Sequence, residues 1–278
     1  MKKFLYLVLI LIITIVTIFI APLIYKNNKN NNEKEILGVW WWDNRIDNSY
    51  LDFAQENGVT EIYYYVSDFN EKIANFIKEA NLKNIQVYWL TGKYQWIENY
   101  GSLKEEIAKY LDFQKNNNNL FAGIHFDIEP HQHPEFNTRK EEIIFNFIDL
   151  TFKIKNDYKD VFVEYDLPCW LDDVIEYNGE SKPAFEYVFD NANRITLMSY
   201  RDSAEKICNF AKDEIDYATK NNKKLILGVE TQDVNDSIVS FFEEGKEFMN
   251  QELKLLRKLI PKNFGIAIHH IVSWFDLK

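Results

Sequence analysis

The sequence contains little cysteine and little glycine, and it lacks an excess of basic residues. Its two cysteines, Cys169 and Cys208, are too few for a disulfide scaffold or, by themselves, for a four-ligand zinc site. Lysine and arginine number 32 against 43 aspartates and glutamates, so the formal charge is −11. Because so acidic a chain repels phosphate backbones and anionic lipid headgroups, nucleic acid is not expected as a partner.

Apolar and aromatic side chains are plentiful. Of the 278 residues, 46% are hydrophobic and 16% are aromatic. This composition excludes disorder for most of the chain. The length suits one large domain with a terminal extension, or two small domains.

An unbroken apolar run follows Lys2 and Lys3 and extends over residues 4–25. As a helix it would span about 33 Å, close to the roughly 30 Å hydrocarbon core of a bilayer. The run ends FIAPLIY, without an A-x-A cleavage pattern. Residues 1–25 are therefore predicted to be an uncleaved transmembrane anchor, with a cleaved signal peptide as the alternative. Residues 26–35 form a polar linker, and the rest of the chain is expected on the extracytoplasmic side.

From residue 36 onward, short β-rich runs alternate with longer amphipathic runs. Strands are predicted at 36–42, 61–66, 85–90, 121–129, 161–167, 194–200, 224–230 and 264–270. Helices are predicted at 49–57, 70–82, 102–116, 138–156, 183–191, 203–220 and 241–260, with a tail too short for a full eighth helix. This order favours an α/β fold, a (β/α)8 TIM barrel over residues 36–278. A doubly wound sheet is the alternative, but the turn after the first strand, WWDNRID, has no glycine to approach a dinucleotide phosphate.

The fourth predicted strand, FAGIHFDIE, gives the clearest indication of an active site. Side chains alternate along a strand, so its isoleucines and second phenylalanine face the helices while His125, Asp127 and Glu129 point inward. Burying three ionisable groups is costly unless they are paired or used. Because active sites of these barrels lie at the carboxyl ends of the strands, a catalytic cluster is predicted here, with a structural polar ladder as the alternative.

Other strand ends contribute polar and aromatic side chains to the same mouth. The polar and sulfur-containing candidates are Asp166, Met198, Tyr200, Glu230 and His269. The aromatic candidates are Trp42, Tyr65, Tyr88, Trp170 and Trp274. Rings beside carboxylates are typical of a sugar-binding cleft, because the C–H faces of pyranoses pack on them, although core packing is the alternative for any single ring.

The histidines cluster around two strands, the fourth and the eighth. They are His125, His131, His133, His269 and His270. A metal site built from the H-x-H pair with a neighbouring carboxylate is one interpretation. The other is that the histidines are hydrogen-bonding partners of the carboxylates, and no metal or other cofactor is predicted.

Three short motifs resemble family 18 of the glycoside hydrolases, the chitinase-like barrels. The run AGIHFDIEP resembles that family's strand-4 signature D-G-x-D-x-D-x-E: Gly123, Asp127 and Glu129 match, while alanine and histidine replace the first two aspartates. LMSY on the sixth strand is similar to the family's M-x-Y, and the late Ser-Trp pair to its late tryptophan. The sequence also resembles a branch of bacterial membrane-anchored barrels that carries LGVET, FFEEG and AIHH and has no assigned activity.

The resemblance implies an O-glycosyl hydrolase that acts on a polysaccharide, in the first place an N-acetylated one. Glu129 would be the general acid, Asp127 would orient the substrate's N-acetyl group, and Tyr200 would hydrogen-bond to its oxygen. His125, in place of the family's aspartate, puts proton shuttling to Asp127 in doubt. A raised pKa is expected for Glu129, more than for any other carboxyl, because like charge and a dry cleft disfavour ionisation.

Three alternatives stay open. A retaining glycosidase would use Glu129 as acid and Glu230 as nucleophile. A non-catalytic barrel would bind carbohydrate without turnover. A metal-dependent deacetylase or amide hydrolase would need the histidines and carboxylates to converge on one ion.

Overall fold

The computed structural model describes residues 35–43 and 45–278. Within them eight parallel strands close into a barrel, which confirms the predicted (β/α)8 architecture. Each barrel strand pairs with the next one along the chain, and the last pairs with the first. The barrel strands are β1 (Leu37–Trp41), β2 (Glu61–Tyr65), β3 (Gln86–Thr91), β4 (Gly123–Phe126), β5 (Val163–Pro168), β8 (Arg194–Met198), β9 (Leu225–Glu230) and β10 (Gly265–His269); an antiparallel hairpin of β6 (Val174–Tyr177) and β7 (Glu180–Pro183) follows β5.

Helices cover the outside of the barrel. They are α1 (Asn48–Glu56), α2 (Glu71–Leu82), α3 (Tyr100–Asn116), α4 (Lys140–Asp157), α5 (Ala184–Asn191), α6 (Ala204–Phe210), α7 (Lys212–Lys220), α8 (Gly245–Leu259) and α9 (Ile271–Asp276). The first three begin at residues whose side chains accept an amide hydrogen bond from the first turn: Asp47, Asn70 and Asn99. Such caps satisfy backbone N–H groups that have no partner within the helix.

The alternation along the strands separates two apolar cores. Ile124 and Phe126 of β4 face outward and pack in the large core between the strands and the helices. Inward side chains, among them Trp40, Tyr63 and Ile226, form a second and smaller core inside the barrel. The interior is thus filled below the mouth, as in other barrels of this type.

The turns that lead from helices into barrel strands use asparagine. Asn84, Asn118, Asn119 and Asn222 have φ values of 51° to 61°. Asparagine tolerates this left-handed conformation better than most residues because its short side chain can hydrogen-bond locally. These turns form the end of the barrel opposite the candidate site.

Three elements differ from the sequence-based prediction. The β6–β7 hairpin was not predicted; the helix expected at 203–220 is two helices that meet at Ala211; and the C-terminal tail forms the short helix α9. Strand β4 ends at Phe126 rather than at residue 129. The chain nevertheless stays beside β3 for one more residue, because the amide of Asp127 donates to the carbonyl of Thr91 at 2.9 Å.

Among the residues that the structure describes, no helix is both long and apolar enough to cross a membrane. The anchor predicted at residues 4–25 lies outside the described residues, as does all of the linker except Glu35.

Candidate functional site

A chain of buried charges runs up the inside of the barrel beneath the candidate site. Arg194 at the start of β8 donates to Glu61 through Nη1 at 3.0 Å and Nη2 at 2.6 Å, and to Glu164 through Nε at 2.5 Å. Its guanidinium lies 5.2 Å from the ring centre of Tyr88. Tyr88, which we expected to contact substrate, therefore faces this ion network in the lower barrel and not the mouth.

His125 continues the chain of charges toward the mouth. Its Nδ1 lies 2.7 Å from Oε1 of Glu164, and its Nε2 lies 2.8 Å from Oδ2 of Asp166, although this second contact is not an aligned hydrogen bond. Its ring stacks on Tyr63 with the ring centres 3.9 Å apart. Burial disfavours the imidazolium, but Asp166 and Glu164 outweigh it and raise the pKa of His125 to about 10. His125 is therefore a cation held between two carboxylates.

Asp166 forms the upper end of this chain. Its Oδ2 accepts the indole N–H of Trp40 at 2.9 Å and faces His125. His125 and Asp166 were both predicted to bind substrate, yet they are 0% and 2% exposed. The structure describes both side chains as buried, so direct contact with a substrate stays a prediction that their burial does not favour.

Asp127 and Glu129 come directly after β4 and lie above this layer. The Oδ1 atom of Asp127 is buried and has no hydrogen-bond partner among the described residues; burial, then Asp166 and Glu129, raises the pKa of Asp127 well above its ordinary value. Burial and then Asp166 raise the pKa of Glu129 to about 7. The direction agrees with our expectation, but Glu129 is not the most shifted carboxyl, since Asp127 is shifted further and burial raises the pKa of Glu214 on α7 to about 8. The pKa values of two neighbouring carboxyls at the mouth are thus both raised, first by burial and then by the charge of Asp166.

The short 3-10 helix Pro130–Gln132 supports Glu129 from one side. The amide of Gln132 donates to Oε2 of Glu129, and Nε2 of His131 lies 3.8 Å from the same oxygen. The ring of His131 meets Trp170 edge-on, with centres 5.3 Å apart. Trp170 is 37% exposed and follows the carboxyl end of β5, so it offers a ring surface near the acid, as a sugar-binding residue would.

Tyr200 lies at the centre of the mouth, two residues after β8. Burial, followed by the charges of four carboxyls, raises its pKa well above the ordinary value, so its hydroxyl stays protonated. Gly228 makes room for it, because a Cβ there would lie 3.1 Å from both Tyr200 Cε1 and Trp40 Cη2. The four carboxyls that act on Tyr200 are Glu230, Asp166, Asp127 and Glu129.

Glu230 at the end of β9 is tied down by its neighbours. Its Oε1 accepts the amides of Thr231 at 2.7 Å and Gln232 at 2.8 Å, and its Oε2 lies 2.8 Å from Nδ1 of His269. The indole of Trp42 donates to Nε2 of His269 at 3.1 Å. An indole N–H can only donate, so this ring nitrogen accepts, while Nδ1 of His269 lies between Oε2 of Glu230 and the side-chain amide nitrogen of Gln232, which is 3.1 Å away.

The other predicted sugar-binding residues divide into two groups. Trp42 and Tyr65 are partly buried at the upper end of the barrel interior, with ring centres 5.7 Å apart. Met198 is half-buried at the end of β8. Trp274 is wrongly predicted: it is 2% exposed on α9, with its ring 4.9 Å from that of Phe53 in the core around the barrel. A tryptophan after the last strand entered a helix and packed inward instead of reaching the mouth.

The two histidines of the H-x-H pair point to different partners. Nε2 of His133 lies 3.3 Å from Glu98, and its ring meets Tyr94 edge-on, whereas His131 faces Trp170. Within residues 35–43 and 45–278, no group of three or more His, Cys, Asp or Glu side chains is arranged to hold a metal ion. The described geometry gives the metal-dependent alternative no support.

Sequence reasoning missed the ion pairs beneath the site. Glu61 and Arg194 are separated by 133 positions, and nothing in their spacing links them. The sequence did contain one indication of these ion pairs. Glu61 is the first residue of β2 and Arg194 is the first residue of β8, at positions where an apolar residue would normally fill the bottom of the barrel. Gln132 could have been found from its position three residues after Glu129.

The chain is a (β/α)8 barrel with a carboxyl-rich mouth, and several solved structures share this architecture. A chitinase from Bacteroides thetaiotaomicron is similar with a TM-score of 0.56 at 12% identity, covering 87% of this chain and 91% of that one. The spore cortex-lytic enzyme SleL of Bacillus megaterium gives 0.51 at 12% identity, covering 88% and 74%. A mutant family 18 chitinase from Cycas revoluta, solved with (GlcNAc)4, gives 0.50 at 10% identity, covering 87% and 96%. At such identities the likeness concerns the fold, and no protein-family model or curated protein matches the sequence.

Proposed function

We propose that this protein is an O-glycosyl hydrolase that cleaves an N-acetylated polysaccharide outside the cytoplasmic membrane, where residues 4–25 hold it. The observation that carries the proposal is the state of Glu129, a carboxyl 14% exposed at the mouth with a pKa raised to about 7. A general acid that works near neutrality needs such a pKa. The barrel shared with chitinases supports the substrate class, and the three motifs of the sequence support it independently.

In the proposed reaction Glu129 protonates the glycosidic oxygen of the leaving sugar. Asp127 and Tyr200 handle the N-acetyl group of the sugar that is attacked, whose own carbonyl oxygen displaces the leaving group. Tyr200 can donate a hydrogen bond to that oxygen, since its hydroxyl stays protonated. Asp127 has a free oxygen to orient the amide, because its Oδ1 has no partner among the described residues.

The state of Glu230 argues against the two-carboxylate route. A nucleophile needs a free oxygen, yet one oxygen of Glu230 accepts two backbone amides and the other lies 2.8 Å from Nδ1 of His269. These bonds suit a residue that fixes the loop after β9. We therefore assign Glu230 a positioning role and leave the nucleophile to the substrate.

A non-catalytic carbohydrate-binding barrel is the second candidate, and one observation favours it. His125 stands where the family that the sequence resembles has an aspartate, and its imidazole faces Glu164 and Asp166 inside the barrel. A barrel with this replacement would bind a glycan at its mouth without cleaving it.

The test is turnover of a panel of N-acetylated and non-acetylated oligosaccharides by the full chain. We expect cleavage of the N-acetylated members only and a loss on the order of 10²–10⁴-fold in Glu129→Gln. Glu141→Gln, the same change at an exposed position of α4, is the matched control and should keep full activity. Asp127→Ala should be severe and Glu230→Ala milder. Cleavage of a non-acetylated glycan that Glu230→Ala abolishes and azide restores would instead establish the two-carboxylate route, and binding without cleavage would establish the second candidate.

A further inference from the structure

The end of the barrel opposite the mouth differs in charge from the rest of the chain. We call it the N-terminal face: the last four residues of α1, α2, α3, α4, α5, α7 and α8, with the turns that lead from them into the barrel strands. These segments carry ten lysines and arginines against five aspartates and glutamates, while the whole chain carries 32 against 43. Basic residues at helix C-termini favour the helix dipole, which accounts for part of this excess. It does not account for the apolar side chains beside them.

Exposed leucines lie on the same face, around β1. Leu82 at the end of α2 is 84% exposed, and Leu259 at the end of α8 is 59% exposed. Helix α2 leads into β3 and α8 leads into β10, and these two strands lie on opposite sides of the neighbouring pair β1 and β2. Lys258 and Lys262 are exposed beside Leu259. Isolated exposed leucines are ordinary, but leucines flanked by lysines at one end of an acidic molecule resemble the surfaces of proteins that bind at a membrane interface.

The chain enters the barrel at this face. Ile36 precedes β1, and its carbonyl accepts a hydrogen bond from Arg257 of α8, which also donates to the carbonyl of Phe264 at 3.1 Å. The ten-residue polar linker 26–35 and the apolar run 4–25 come immediately before it. A linker of that length reaches at most about 35 Å, and about 18 Å on average as a flexible coil. If residues 4–25 span a bilayer, the entry point stays near its surface at a high effective concentration, and weak contacts are enough to dock it.

We propose that the N-terminal face rests on the headgroup layer of an anionic phospholipid bilayer. Leu82 and Leu259 enter the headgroup region, and lysines such as Lys258 and Lys262 contact lipid phosphates. An anionic polymer of the cell wall would also attract the lysines, but it offers the leucines nothing to enter. The inference builds on the proposed anchor and is independent of catalysis. It turns the mouth away from the bilayer, toward whatever polymer lies outside.

The test measures how deep three surface positions lie when the full chain is reconstituted in vesicles and floated with them. Spin labels are placed by Leu82→Cys, Leu259→Cys and Val174→Cys in a Cys208→Ser background. Val174, 66% exposed on the hairpin that follows the carboxyl end of β5, is the matched control at the other end of the barrel. The readout is the ratio of accessibility to oxygen and to a polar nickel complex.

We expect this ratio to be several-fold higher at positions 82 and 259 than at 174 in vesicles that contain phosphatidylglycerol. It should fall toward the value at 174 in pure phosphatidylcholine, at 1 M salt, or in the double variant Lys258→Glu, Lys262→Glu. Equal ratios at all three positions, a higher ratio at 174, insensitivity to lipid charge, or failure of the chain to float would each overturn the proposal. Loss of turnover in the glycan panel leaves these readouts unchanged. Equal ratios in a chain that floats overturn the docking alone, whereas failure to float overturns the proposed anchor as well, so the outcomes distinguish the two proposals.

Discussion

His125 illustrates how a single buried residue sets the chemistry above it. It occupies the position where the resembling family has an aspartate, and it faces Glu164 on one nitrogen and Asp166 on the other. Arg194 and the His125 cation together hold the pKa of Glu164 below its ordinary value despite burial. Above them, burial first and then the charge of Asp166 raise the pKa of both Asp127 and Glu129.

This arrangement predicts a loss of stability at alkaline pH. The pKa of His125 is raised from 6.5 to about 10 on folding, so its contribution is complete below pH 6.5 and disappears as the pH rises through about 10. Between these values the free energy of unfolding should fall by up to about 1.4 kcal/mol per pH unit relative to His125→Gln, in which the group cannot titrate. Denaturant unfolding between pH 6 and 10 measures it. Parallel curves for the wild type and His125→Gln would contradict a buried imidazolium.

The activity should also depend on pH through Glu129. A general acid works in its protonated form, so kcat/KM should fall as the pH rises through about 7. Asp166→Asn removes the like charge beneath Glu129, so the pKa should drop and the alkaline limb should move to lower pH. If Asp166 had only a structural role, Asp166→Asn would lower kcat/KM but leave the alkaline limb of its pH profile unchanged. In a protein without activity, NMR titration of Glu129 measures the same shift in pKa directly.

The sequence could predict which way the side chains of a strand point, but not how far below the rim of the barrel each side chain lies. Alternation correctly indicated that His125, Asp127 and Glu129 point inward. It did not indicate depth: His125 has a further layer of side chains above it, whereas Glu129 reaches the rim. Depth follows from the register between strands, which pairs His125 with Glu164 and Glu164 with Arg194. No spacing within one segment encodes that register.

At the scale of elements, the junction of β3 and β4 holds the proposed catalytic segment in place. Gly92 follows β3, and a Cβ there would lie 1.7 Å from the carbonyl oxygen of Asp127. Because this contact is with backbone, a side chain cannot turn aside to relieve it. Glycine at this position therefore allows the chain after β4 to approach β3 and bring Asp127 and Glu129 to the mouth.

Gly92→Ala should accordingly destabilise the barrel by a few kcal/mol, as overpacking typically does, and displace the acid from its working position. We expect a lower melting temperature and a large loss of turnover together. Gly101→Ala is the matched control, because the new Cβ on α3 would lie 3.4 Å from its nearest neighbour and alanine favours the helix. A Gly92→Ala protein with wild-type stability and activity would show that the backbone of Asp127 can move away from residue 92 without cost.

The elements themselves were largely predictable, and the exceptions have physical reasons. Every barrel strand was found, because each carries an apolar β-rich run between polar turns. The hairpin after β5 was missed because its strands have four residues each, and only Ile175 and Tyr177 of β6 are buried. The break between α6 and α7 at Ala211 was missed because alanine favours helix and the apolar pattern continues across it.

At the scale of the whole molecule, charge and connectivity predict where the barrel resides. Lys26, Lys29 and Lys34 lie in the polar linker, while the barrel has an extensive buried core. If residues 4–25 anchor an extracytoplasmic barrel, trypsin added to intact cells should cut the linker first and release a fragment that begins near residue 35. The fragment should persist, because a folded barrel protects its own lysine bonds from cleavage. Lysed cells serve as the control and should give the same fragment. A chain that stays intact in whole cells and is cut only after lysis would place the barrel in the cytosol and contradict the prediction.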